Sequence, residues 1–136
     1  LPVQPVAIGA NCGVGASELI ATVLGISEAR PDAAVVAKGN CGIPQYVDGH
    51  IHYTGTPELM ADYARIALDA GARIIGGCCG TSPEHLAAMR KSLESYSRGA
   101  RPSVELIEQK LGPVSELAKG VDTAAAGAAR RERRRG

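Results

Sequence analysis

The sequence predicts an α/β fold built on parallel strands, and three observations lead there. Three short apolar runs rich in β-branched residues, "PVAIGA" (5–10), "AAVVAKG" (33–39) and "ARIIGG" (72–77), carry glycine at or near their ends, as buried parallel strands do. Segments whose apolar residues recur with helical spacing follow each of them. Two of those segments open alike, Thr56-Pro57-Glu58 and Ser82-Pro83-Glu84, with a hydroxyl cap, proline at the first helical position and an acid in the positive first turn. Strand then helix, three times over, means parallel strands joined by right-handed crossovers.

Taken in order, Leu1 to Ala10 reads as a strand arriving from something earlier, so the chain is expected to be the C-terminal piece of a longer protein. Leu19, Ile20, Val23 and Leu24 mark the first helix after Ser17. Beyond the second strand, "DGHIHY" (48–53) reads as a polar loop. Leu59, Met60, Tyr63, Ile66, Ala67 and Ala70 line the second helix, and "DAGAR" (69–73) supplies a glycine stop before the third strand. Leu86, Met89, Leu93 and Tyr96 line the third helix. The division expected is a parallel unit over 1–99, a helical extension over 100–119 with a short helix at 103–112, and a disordered Ala/Gly- and Arg-rich tail over 120–136.

The 136 residues are 45% hydrophobic and 21% charged, enough for an ordinary core. A formal charge of +1 gives no reason to expect nucleic acid or membrane as a partner, and the terminal "RRERRRG" conceals a mildly acidic body. No apolar run approaches the roughly 18 residues of a membrane span. Four cysteines do not make a secreted disulfide framework here. A cytoplasmic location is expected, where such thiols are metal-binding or catalytic.

"IIGGCCGTSPEH" (74–85) sets two thiols side by side, although neighbours on a regular strand point to opposite faces. All strand C-termini of a parallel sheet share one rim, where α/β enzymes build their sites. Cys12 follows the first strand, Cys41 the second, and Cys78 and Cys79 the third. If the strand breaks at Gly77, the glycines around the pair let both thiols turn to one point. A vicinal disulfide is the rival explanation, but its ring is strained and a reducing cytosol opposes it. Cys78 and Cys79 with Cys12 make a three-sulfur set suited to zinc, with one position left open. Such an ion is a weak Lewis acid, better suited to binding a substrate thiol than to making hydroxide. The reaction class is alkyl transfer to sulfur.

Other residues attract two readings each. Cys41 is expected as a small buried residue lining the pocket. Asn11 and Asn40 can hydrogen-bond substrate or serve loop backbone. Lys38 can meet a carboxylate or reach to solvent. His50 and His52 are expected at the surface, and His85 in the first turn of its helix. "GANCGVGAS" lacks the Lys-Ser/Thr of a phosphate loop. No Cys-x-x-Cys supports a redox enzyme.

At these residues the chain resembles the zinc-dependent homocysteine S-methyltransferases. "GANCGVG" is similar to that family's first zinc-cysteine motif, "AKGNCGIP" to its Lys-x-Asn-x-Gly-x-Pro strand end, and "GARIIGGCCGTSPEH" to its Gly-Gly-Cys-Cys-Gly signature with the capped helix beyond it. Cys41 departs from the small residue expected in the second motif. The resemblance covers roughly residues 3 to 96. It implies the last three strand–helix units of a (β/α)8 barrel, with Cys12, Cys78 and Cys79 as zinc ligands. It further implies methyl transfer to homocysteine giving methionine, with betaine the favoured donor. Methyltetrahydrofolate with cobalamin, and S-methylmethionine, are the alternatives, as is a non-catalytic zinc-binding fragment. The missing N-terminal half of the barrel is then a partner to be supplied, or an oligomer forms in its place. With four Tyr and no Phe or Trp, no aromatic cage for a quaternary ammonium is visible.

Overall fold

The computed structural model describes residues 3–12, 15–42 and 44–115, with Cys12 described by its backbone alone. Along the chain run β1 (Ile8–Cys12), α1 (Ala16–Ala29), β2 (Val35–Gly39), β3 (Pro44–Val47), β4 (His50–Tyr53), α2 (Pro57–Asp69), β5 (Ala72–Gly77), α3 (Pro83–Glu94) and α4 (Val104–Leu111). β1, β2 and β5 form one parallel sheet in that order. The expected α/β architecture is therefore present, with β5 over the anticipated 72–77. β1 differs from expectation: it begins at Ile8 and takes in Cys12 as its last residue instead of ending before it.

Local chemistry explains the boundaries. Thr56 Oγ1 accepts from the Leu59 N–H at 3.1 Å, and Pro57 follows at the first helical position of α2. Gly71, at φ 111, lets the chain turn from α2 into β5. Ser103 caps α4 by accepting from the Leu106 N–H at 3.2 Å. The core lies between the sheet and its helices, where Ile20, Val23, Met60, Tyr63 and Ile107 are fully buried. The segment beyond α3 is tied back over this layer: Arg98 Nε donates to Leu68 O at 2.9 Å, and Ser17 Oγ donates to Pro113 O at 3.0 Å. The expected tail over 120–136 lies outside the described residues.

Two features differ from the sequence reading. The stretch read as a polar loop is an antiparallel hairpin, β3–β4, pairing Pro44 with Tyr53 and Val47 with His50. Asp48 and Gly49 both take positive φ (49° and 81°), the conformation of a type I′ turn whose twist matches paired strands. His50 and His52 thus lie on a strand, not in a loop, and both are exposed as expected.

The second feature is a bare sheet face. Val35, Ala37 and Gly39 of β2 are buried under the helices. Register puts Gly9, Val36 and Ile74 in one row of the opposite face, and Asn11, Lys38 and Gly76 in the next. No described element covers that face, and Ile74 is 51% exposed. Parallel sheets are normally covered on both sides.

Candidate thiol site at the strand ends

β5 leaves the ladder after Gly77. The Cys78 N–H still donates to Gly39 O at 2.8 Å, and the Thr81 N–H donates to Cys78 O at 3.2 Å, closing a turn over Cys78-Cys79-Gly80-Thr81. Gly80, third in that turn, sits at φ 76, a value a type II turn requires there. Turn geometry, not strand pleat, thus sets the two side chains. Their sulfurs are 3.7 Å apart, with Cys79 exposed and Cys78 partly so.

Neighbouring loops hold the turn. The Cys41 N–H donates to Cys79 O at 3.0 Å, so the end of β2 grips the pair twice, through Gly39 and through Cys41. Cys41 is fully buried; its Sγ donates to Gly55 O at 3.2 Å, and the Gly55 N–H returns to Cys41 O at 3.0 Å. Burial pushes the Cys41 thiol above its ordinary value, so it remains protonated. It is the small buried residue the sequence suggested. His85 stands in the first turn of α3, also as expected. Its Nδ1 accepts from the Ser82 N–H at 3.0 Å, which leaves Nε2 to donate to Gly55 O at 3.1 Å. Tyr53, at the end of the hairpin, packs so closely on Gly80 that any side chain there would collide. Thr81 Oγ1 is buried with no hydrogen-bond partner among the described residues.

Of the expected ligands, Cys78 and Cys79 are together. Cys12 stands level with Gly39 on the adjacent strand, and Gly39 stands level with Gly77, so the three strand ends share one height. The side chain of Cys12 lies outside the described residues, and among these no three His, Cys, Asp or Glu form a metal-holding group. The two sulfurs fit such an ion: thiolates bound at about 2.3 Å to one tetrahedral zinc stand about 3.8 Å apart. Asn11 is exposed beside Lys38 on the bare face, whereas Asn40 is buried in the turn after β2, hydrogen-bonded, and its carbonyl accepts from the Gly42 N–H at 2.9 Å. The exposed Lys38 lays its stem alongside Gly76.

Tyr63 escaped the sequence reading, which gave it only a place in the α2 stripe. Its hydroxyl accepts from the Gly39 N–H at 3.0 Å and donates towards Gly76 O at 3.3 Å, between the last rungs of β2 and β5. The only signal was a tyrosine in a buried stripe, whose hydroxyl must find partners.

A family model described as homocysteine S-methyltransferase matches residues 1–93, more than half of the chain. The matched span contains all four cysteines, Tyr63 and His85.

Proposed function

The chain belongs to the homocysteine S-methyltransferase family, and from that premise we propose that Cys12, Cys78 and Cys79 hold a zinc ion at which homocysteine is methylated to methionine, with betaine the favoured donor. The observation that carries this reading is the 3.7 Å separation of the Cys78 and Cys79 sulfurs at the sheet's C-terminal rim. Zinc held by three thiolates lowers the pKa of a substrate thiol while leaving its sulfur electron-rich. The Cys78–Thr81 turn presents two of the ligands, and Gly39 and Cys41 fix that turn from the neighbouring strand. Cys41, fully buried with its Sγ donating to Gly55 O, is not counted among the ligands. The homocysteine sulfur then attacks the donor's methyl carbon in line: the S–C bond forms as the methyl–nitrogen bond of betaine breaks, and the electron pair leaves with dimethylglycine. Holding sulfur and methyl group in line supplies most of the acceleration, with no general base required once the thiol has lost its proton. A cytoplasmic setting belongs to this reading, since it keeps the thiols reduced.

The bare sheet face supports a second element of the proposal, that these three strand–helix units close a (β/α)8 barrel whose other units come from elsewhere. A groove of about 480 Å³ between β5 and α3, lined by Leu68, Ile75, Leu86, Met89 and Leu93 together with Arg73 and Arg90, is where the next unit would pack. On this reading the 136-residue chain binds metal alone but turns over only when the barrel is completed.

Zinc content of the purified chain tests the site. One zinc per chain is expected, lost in Cys78→Ser and Cys79→Ser variants whose circular dichroism is unchanged. A folded variant that keeps its zinc would sink the assignment.

A further inference from the structure

At the end of the sheet away from the thiols, a cavity of about 320 Å³ is lined by Arg30 after α1, Arg73 early in β5, and Arg98 and Arg101 from the segment beyond α3, with Ser27 and Asp69. Guanidiniums around one space repel each other, so their partners decide what the cavity can hold. Arg30 pairs with Asp32 at 3.3 Å and Arg101 reaches Glu28 at 3.9 Å, both carboxylates being largely in solvent. Arg73 and Arg98 have no ion pair among the described residues. Asp69, the acid of the lining, pairs with none of the arginines. Its Oδ2 accepts from the Tyr96 hydroxyl at 2.6 Å and its Oδ1 from the Gly99 N–H at 2.6 Å. Two guanidiniums are also fixed in place: Arg98 Nε donates to Leu68 O at 2.9 Å, and Arg101 donates to Ser27 Oγ at 3.1 Å and to Leu24 O. Those bonds serve the C-terminal ends of α1 and α2, each worth roughly half a negative charge. Capping therefore accounts for Arg98 and Arg101. It does not account for the exposed Arg73, and it leaves the terminal nitrogens of Arg98 without a recorded partner.

We propose that this cavity is an anion site for a small phosphate-bearing molecule, held by Arg73, Arg98 and Arg101. A lone carboxylate satisfies one guanidinium fork, whereas phosphate presents enough oxygens and charge to engage several at once. Arg98 and Arg101 are already held by the helix ends, so little further ordering is needed to receive it. Pro31, Ala33 and Val35 add an apolar wall beside the guanidiniums, suited to the organic part of a phosphate ester. The site lies by the first residues of β2 and β5, whereas the thiols follow the last residues of these strands. It therefore stands apart from the metal reading, and neither depends on the other.

The test is calorimetric titration of the full chain at low ionic strength with inorganic phosphate and with phenyl phosphate. Saturable binding is expected, weakened by about 10-fold in Arg73→Gln, as loss of a charge-assisted hydrogen bond implies. Arg73 makes no recorded bond within the chain, so this change removes no contact of the fold, and circular dichroism checks that. Tighter binding of phenyl phosphate identifies an ester as the ligand, and equal binding identifies free phosphate; either supports the site. The terminal "RRERRRG" also attracts anions, so the variant is what locates the binding. Binding that is unchanged in Arg73→Gln belongs elsewhere on the chain and overturns the proposal. Absence of saturable binding by the parent chain overturns it as well. Should Arg73→Gln fail to fold, Ala33→Asp, which adds a carboxylate to the cavity wall, decides on the same scale: weakened binding supports the site and unchanged binding overturns it.

Discussion

Tyr63 couples a buried proton to the end of the sheet, and that has a consequence for pH. Burial pushes its hydroxyl well above the ordinary value of 10.0, against a smaller opposing pull from the Gly39 amide. The folded chain therefore holds this proton more tightly than the unfolded one. Its contribution is fully present below pH 10 and is lost as pH rises beyond, because the unfolded state releases the proton first. Stability should fall above pH 10 by up to about 1.4 kcal/mol per pH unit from this group. Tyr96, raised by its hydrogen bond to Asp69, acts in the same direction from a more exposed site. Urea denaturation between pH 9 and 11 checks the sign: Tyr63→Phe should flatten most of the slope, and an equal slope would contradict the buried hydroxyl. The residues proposed to carry the chemistry were easier to place. Cysteines beside glycines at the ends of apolar runs can be located on a rim from spacing alone, because a parallel sheet puts all such ends together. Tyr63 could not be, since its partners are backbone groups on two strands that pairing alone brings to it.

At the scale of elements, the helices and parallel strands were legible because their signals are local: capping hydroxyls, proline at the first helical position, and apolar periods. The hairpin was also written locally, in Asp48-Gly49 between "PQYV" and "HIHY", but its alternation is mostly polar and so reads as loop. Its function in the fold is less local. Tyr53 at its end rests on Gly80, and Gly55 just beyond is bonded by both Cys41 and His85. Hairpin, β2 end, thiol turn and α3 cap thus form one assembly around the pair. Gly80 is where it is most exposed to substitution, since both its positive φ and the Tyr53 ring exclude a side chain. Gly80→Ala should cost about 1–3 kcal/mol in backbone strain, with the steric clash in addition. Denaturant titration should show the loss. Hydrogen exchange should show the β3–β4 amides losing protection with it, and a variant as stable as its parent would mean that the turn has another way to relax.

For the molecule as a whole, the governing fact is that, among the described residues, the helices cover one face of the sheet only. Ile74 presents half its surface to solvent from a row that also contains Val36, and β1 and β5 each leave one edge unpaired among the described residues. Apolar surface of this kind, flanked by open strand edges, favours association. The groove between β5 and α3 adds Leu86, itself 48% exposed, beside the open edge of β5. In the proposed barrel these surfaces meet further strand–helix units, and without them copies of the chain are the available substitute. Sedimentation should accordingly show a mass that rises with concentration. Ile74→Lys should shift the distribution towards monomer, because a charge on the bare face must be desolvated in any face-to-face pairing. The same change should move unfolding stability by only about 0.5 kcal/mol, since half of the side chain is already in water. The two readouts separate causes. A variant that becomes monomeric while keeping its stability locates the association on this face. A parent chain that sediments as monomer at every concentration would mean that the bare face tolerates water, and the need for further barrel units would lose its physical basis.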